Sequence, residues 1–310
     1  VEPLTEIPAE KAAVRKNRRP AGSSAPYRFL LPSAGVLLAF MGIPLAVSII
    51  TSFNFYKLNV PGIYFNGIDN YIAVISDKFF SMTMINTFWW VLLSILFQSV
   101  LGLTLAMLLN QRYRGKRVYQ ALVLLPWAVP GFLTALIWKW MFNGQYGVIN
   151  DILLRLKLVE QPIAFLARTD TSLLSVIAAN VWYGIPFFAI MLYSALQTIS
   201  PDIYEAAEID GAGSVTRFFS ITLAYIRPTI ISTILMRIIW VFNSADMIYT
   251  MTGGGPRNSS ATIATFILQK AFTDMNFGQA SALGVIVLLM LTGYTLVYLF
   301  ATKYDQAGDF

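Results

Sequence analysis

The chain has 310 residues, of which 56% are hydrophobic and only 12% charged, with a formal net charge of +6. Soluble domains ordinarily hold about 25% charged residues, so a chain this apolar needs a solvent other than water around much of its surface. It contains neither cysteine nor histidine, which excludes disulfides, thiolate chemistry, Cys/His metal sites and the commonest general base.

Residues 1–28 are polar and carry Lys11, Arg15, Lys16, Arg18, Arg19 and Arg28. They read as a flexible basic tail. A plain secretory signal is not expected, because the apolar segment that follows is too long and further spans come after it. Apolar runs long enough to cross a hydrocarbon core of about 30 Å as helices then fall at 29–51, 85–109, 118–142, 173–199, 228–250 and 279–302. Pro32, Pro44, Pro126, Pro130 and Pro186 lie inside them and predict kinks that neighbouring helices can accommodate. The expected class is an all-α integral membrane protein with six transmembrane helices.

Basic residues set the orientation. They crowd the tail and the short loop "NQRYRGKRVYQ", which holds Arg112, Arg114, Lys116 and Arg117. Both segments are therefore expected in the cytoplasm. Alternation places loops 52–84, 143–172 and 251–278 outside, and 200–227 and the C-terminus inside. The expected divisions are a basic tail at 1–28, a first span with an outer loop at 29–84, a membrane core at 85–302 with a cytoplasmic loop at 200–224, and a C-terminal tail at 303–310. Residues 261–273, "ATIATFILQKAFT", are apolar but too short to span, and read as interfacial or re-entrant at the outer face. They follow "TGGGP" (252–256), whose glycines permit unusual backbone angles. The one Gly-Lys pair, Gly115-Lys116, lacks the rest of a phosphate-binding loop, so any nucleotide must be bound by another chain.

The loop "PDIYEAAEIDGAGS" (201–214) places Asp202, Glu205, Glu208 and Asp210 between two lipid-buried segments. Ser200 suits the N-cap, Pro201 the first helical position, Asp202 the positive end of the dipole and Gly211 the stop. A helix of about ten residues is marginal alone and needs tertiary contacts. Ser214 can cap a second short helix, "VTRFFSITL", leading toward the fifth span. The acids are either simply solvated or part of a docking element for a cytoplasmic partner.

"EAAEIDGAGSVTRFFSITLA" (205–224) resembles the EAA signature of permease subunits of binding-protein-dependent ABC importers: Glu-Ala-Ala, three residues, Gly, nine residues, Ile, one residue, Leu, Pro. Glu205, Ala206, Ala207, Gly211, Ile221 and Leu223 fall in place; Ala224 stands where the final proline is expected, with Pro228 four residues on. "MIYTMTGGGPRNSSATIATFILQKAF" (247–272) and "FGQASALG" (277–284) resemble the segment after the fifth span in maltose-transporter-type permeases. The likeness runs from about 85 to 302. It implies a type I importer permease that forms half of a carbohydrate pathway in the bacterial inner membrane. Glu205, Ala206, Ala207, Asp210 and Gly211 would couple it to an ATPase. Gly253, Gly254, Gly255 and Pro256 would face a periplasmic binding protein. The implied partners are a second, different permease, two ATPase subunits holding ATP and Mg, the binding protein and lipid, with no nucleic acid. No cofactor is expected in this chain, nor is it expected to be an enzyme.

The polar residues within the spans are the remaining candidates. A charge at mid-bilayer costs about 2.5–3.5 kcal/mol on insertion scales, so it tends to face protein or water. Arg237 and Asp246 are nine residues apart, which puts them on opposite faces of a straight helix. Each then needs its own partner: an interhelical or intersubunit group for Arg237, an ion pair or snorkelling for Asp246. Lys139 is explained by snorkelling. The resemblance places substrate contacts in the fourth and fifth spans, where Asn180, Trp182, Tyr183 and Gly184, and Asn243, Ser244 and Asp246, offer hydroxyl partners and an aromatic face. Trp182 and Tyr183 fit an interfacial aromatic belt equally well. A secondary transporter or channel would need intramembrane acids, of which Asp246 is the only one offered. An intramembrane enzyme would need a catalytic pair that the spans do not supply.

Overall fold

In hydrocarbon every backbone N–H and C=O must be paired within the chain, so long apolar runs become helices. The computed structural model describes residues 25–111 and 113–302. The expectations for the basic tail up to residue 24, for Arg112 and for the C-terminal tail at 303–310 lie outside the described residues. The described residues fall into two compact units that divide between Val47 and Ser48. α1 (Ala25–Leu37) runs through one π-helical turn (Leu38–Gly42) into α2 (Ile43–Ser52), within which the division falls. The stretch Phe29–Ser52 is long and apolar enough to span a membrane, and Phe29, Phe40 and Met41 on it are exposed.

The second unit opens with a short antiparallel hairpin, β1 (Asn54–Phe55) and β2 (Tyr64–Phe65), and α3 (Asp69–Ile75). Asn70 on α3 donates to the carbonyls of Ser52 and Asn54 at 3.0 and 2.8 Å, which fixes the start of the loop. The long helix α4 (Phe80–Asn110) packs against α8 (Ser172–Leu196), and this pair is the centre of the protein. Asn86, Trp90, Ser94, Gln98, Gly102 and Ala106 recur every four residues along α4 and are all buried. Polar and small residues on one face mark the protein-facing side of a membrane helix, because apolar residues gain nothing by leaving lipid. At Gly102 a methyl group would come within 2.3 Å of Phe188 Cβ, so only glycine permits this approach.

The third expected span is two helices, α5 (Lys116–Ala128) and α6 (Gly131–Met141), bent by 93°. The cause lies in "AVPG". Val129 precedes Pro130, and a residue before proline is pushed out of the helical region; it is extended at φ −98°, ψ 129°. The proline there breaks the span and does not merely kink it. Lys139 on α6 has more than solvent to satisfy it, since it donates to the Thr250 carbonyl at 3.0 Å. α7 (Val148–Arg155) follows, then α8 and the loop helix α9 (Pro201–Ile209).

The expected second short helix is not separate. α10 runs unbroken from Ser214 to Asn243, with one π-helical stretch at Arg217–Thr222 and Pro228 inside it. The fifth span therefore starts earlier than 228 and ends at Asn243, where Ser244 turns extended. Asp246–Thr252 is a distinct helix, α11. The apolar segment forms α12 (Ile263–Thr273), and α13 (Phe277–Thr302) closes the chain. α12 is buried in the protein: Ile263 and Phe266 pack with Val74, Leu283 and Val287, and Thr87 on α4 caps the Ile263 N–H at 2.8 Å.

The loops sort by end. Segments expected outside meet one another: Lys57 bridges Asn276, Lys270 pairs with Asp77, and Ser172 bonds Ser259. At the other end Lys116 lies over the Tyr193 ring and shares a groove with Gln197 and Glu205. The buried Lys270 is held by Asp77 at 2.9 Å and Asp274 at 3.2 Å. Partial burial raises the Asp77 pKa, but hydrogen bonds from Lys270 and the Phe79 N–H outweigh it and hold it below the ordinary value of 3.8. A depressed carboxylate stabilises the fold above its unfolded pKa, and that contribution is lost as pH falls through the folded value. Asp77→Asn is thus expected to cost about 1–2 kcal/mol at pH 7. Thermal unfolding in detergent should show the gap closing as pH falls below about 4; a gap that is constant with pH would show that the ion pair is not its source.

Candidate functional site

The break after α10 borders a partly open cavity of about 120 Å³, lined by Asn180 and Tyr183 of α8, Arg237, Trp240 and Val241 of α10, and Ser244, Asp246 and Met247 beyond the break, with Trp240 and Asp246 exposed. Trp90 helps to hold the end of α10, donating from its indole to the Val241 carbonyl at 2.9 Å. Because the chain turns at Ser244, Arg237 and Asp246 line one cavity although nine residues of straight helix would have set them apart. Each does have its own partner. Arg237 Nε donates to Gln98 Oε1 at 2.8 Å, and the Ser244 hydroxyl donates to Asp246 Oδ1 at 2.7 Å. Asp246 Oδ2 rests against Gly131, the first residue of α6; a methyl group there would lie 2.8 Å from it. The positive end of the α6 dipole thus faces this carboxylate.

Of the seven residues expected in the substrate pathway, Asn180, Tyr183, Ser244 and Asp246 come together here. Asn180 is buried and its amide is committed to Ser94 at 2.9 Å. Trp182 points elsewhere, edge-on to Trp138 at 5.9 Å. Asn243 is exposed and donates back to the Ile239 carbonyl. Gly184 makes room for Gln98, whose Cδ would lie 2.2 Å from an added methyl group. Gln98 in turn donates to the Asn180 carbonyl at 2.8 Å and so ties α4, α8 and α10 together. Sequence reasoning missed Gln98 and Trp240 as parts of this site. Gln98 was readable as a polar residue on the same face of α4 as Asn86 and Ser94.

α9 has the expected construction. Ser200 accepts from the Asp202 N–H at 3.4 Å, Pro201 opens the helix and Gly211 stands at φ +79°, with nine helical residues between. Ile203 and Tyr204 pack on the core, and the Tyr204 hydroxyl meets Thr222 Oγ1 at 3.0 Å. Glu208 is taken up by Arg217 at 3.1 Å. Glu205, Ala206 and Asp210 are exposed, while Ala207 is half-buried. The sequence reading overlooked an apolar patch beside them: Ile209 is 87% exposed, Val215 71% and Phe219 63%.

At the opposite end Gly253 and Gly254 adopt left-handed angles (φ +63° and +87°), and the Gly255–Pro256 peptide is cis. Asn86 on α4 donates to the carbonyls of Asn258 and Ala261, both at 3.0 Å, and anchors this loop. Gly254 is buried; Gly255 and Pro256 are half-buried, and Gly253 and Arg257 are exposed.

These features define a multi-pass membrane protein with a polar cavity in its bundle and an exposed helix on one loop. Residues 98–306 match the family of binding-protein-dependent transport system inner membrane components, and the chain belongs to that family. It is 34% identical over 283 residues to the trehalose/maltose transport system permease protein MalF of Thermococcus litoralis, covering 90% of this chain and 94% of the relative. It is 35% identical over 273 residues to the sulfoquinovosyl glycerol transport system permease protein SmoG of Agrobacterium fabrum, covering 87% and 88%. The fold matches a chain of a bacterial ABC transporter that imports the acidic polysaccharide alginate, with TM-score 0.78 at 23% identity over 90% of this chain and 95% of that one. The likeness to ABC importer permeases read from the sequence is thereby borne out.

Proposed function

We propose that this chain forms half of the translocation pathway of an ATP-driven carbohydrate importer in the bacterial inner membrane. A second, different permease supplies the other half. Two ATPase subunits bind ATP and Mg, one of them seating α9 in a cleft, and a periplasmic binding protein delivers substrate to the face carrying Gly253–Pro256. Both termini and α9 are then cytoplasmic, as the basic residues at 112–117 favour. The carbohydrate class is supported by the names of the relatives, which specify trehalose and maltose or sulfoquinovosyl glycerol. The observation that carries the reading is the EAA-bearing helix, exposed at Glu205, Ala206 and Ile209 on the same chain as a polar cavity within the bundle.

ATPase closure moves α9, and the ion pair Glu208–Arg217 and the contact Tyr204–Thr222 carry that motion into α10. α10 ends at the cavity, so the path from coupling helix to cavity runs along a single element. Uptake of labelled sugar into proteoliposomes tests the reading. Accumulation is expected only with the second permease, the ATPase, ATP and loaded binding protein all present. Accumulation by this chain alone would identify a secondary transporter or channel instead.

A further inference from the structure

Two cations are buried among the described residues, Lys270 and Arg237. Lys270 is met by two carboxylates. Arg237, 5% exposed, has no carboxylate within 4 Å among the described residues. Its Nε is committed to Gln98, and its guanidinium lies 5.9 Å from the Phe187 ring centre. Neither Nη donates to any described residue, and the side chain lines the cavity. The one acid lining that cavity, Asp246, is exposed and accepts from the Ser244 hydroxyl. A buried charge without a counter-charge is costly, and the outer edge of an arginine fork fits a planar oxyanion bidentately.

We propose that Arg237 binds an oxyanion substituent, a carboxylate or sulfonate, on the transported carbohydrate, so that the importer takes acidic sugars. This rests on the importer reading above. At about 120 Å³ the cavity is well below the ~300–1,000 Å³ of sites that enclose a whole ligand, and it suits one acidic substituent of a larger molecule. Gln98 and Phe187 hold the fork from behind, and Gly184 leaves the space that Gln98 needs. Tyr183 and Trp240 remain for the ring and its hydroxyls.

The test uses the purified whole transporter, with sodium glucuronate and glucose as probes of thermal stability. Glucuronate should stabilise the wild type more than glucose does. Arg237→Met should weaken the apparent affinity for the anion roughly 10- to 100-fold, as for loss of a charge-assisted hydrogen bond. Gln98→Glu, which places a carboxylate against Nε without changing side-chain size, should compete with the anion and weaken it in the same sense. Anions that stabilise no better than glucose would overturn the proposal, as would equal anion affinity in wild type and both variants. ATP-driven uptake of glucose or maltose with no measurable uptake of glucuronate would overturn it while leaving the importer reading intact. Absence of ATP-driven uptake for every neutral and acidic sugar tried would remove the importer reading itself.

Discussion

Transporters carrying Glu205→Lys or Ile209→Asp are expected to lose most of the ATPase stimulation produced by loaded binding protein, while the chain still inserts and co-purifies with the second permease. Ile209 is the more telling position. It is the last residue of a nine-residue helix and is 87% exposed, yet nothing in that helix requires an isoleucine there. Val215 and Phe219, also exposed, lie on the segment that follows, and exposed apolar residues grouped in this way mark a protein contact. An aspartate at the centre of such a contact costs about 2 kcal/mol or more, roughly a 30-fold loss of ATPase affinity. Gly211→Pro should act differently. Its φ of +79° is closed to proline, so the helix stop itself would shift. Asp202→Asn serves as control, since Asp202 is exposed and contributes mainly to the dipole. Wild-type stimulation and ATPase retention in both Glu205→Lys and Ile209→Asp would remove α9 as the docking element.

The second large effect concerns packing. Gly102→Leu is expected to destabilise the protein in detergent by about 3 kcal/mol or more, at the upper end of overpacking costs. Even the Cβ would meet Phe188 Cβ at 2.3 Å and the Ala189 N at 3.2 Å, so α4 and α8 would have to separate. No large hydrophobic gain offsets this in lipid, where helices associate through close van der Waals contact. Gly284→Ala is the matched control: on α13 a methyl group there meets nothing within 4 Å, and the change should stay within about 0.5 kcal/mol. Equal melting temperatures for the two variants would show that the α4–α8 contact does not limit stability.

What could be read from the sequence follows from local physics. Apolar run length located the membrane-spanning regions, because the bilayer leaves the backbone no alternative to a helix. Ser200, Pro201 and Gly211 set the ends of α9 through capping and a left-handed stop, and both observed ends agree. The break at Val129–Pro130 was also local, but the reading allowed only a kink where the residue before proline in fact leaves the helix.

The site was legible only in part. Asn180, Tyr183, Ser244 and Asp246 were named from residue type, and they do line the cavity. Arg237 reads from the sequence as an interhelical or intersubunit partner, and Gln98 on α4 meets it, but its sharing a cavity with Asp246 depends on the turn at Ser244. A helical wheel drawn through residue 246 puts the two on opposite faces. Trp182 and Asn243 have suitable chemistry and point away.

The sequence alone determined the membrane class, the approximate spanning regions, the ends of α9 and the family, because span length, caps and motif spacing are properties of short segments. Tertiary structure decided the rest. Close contact at Gly102 and Gly184 set α4 against α8, and that contact fixed Gln98. The breaks at Pro130 and Ser244 then brought the amino end of α6 near Asp246 and left Arg237 lining the same cavity as Asp246, with no carboxylate within 4 Å of it among the described residues. Charges far apart in sequence become one site only when the helices between them break and pack.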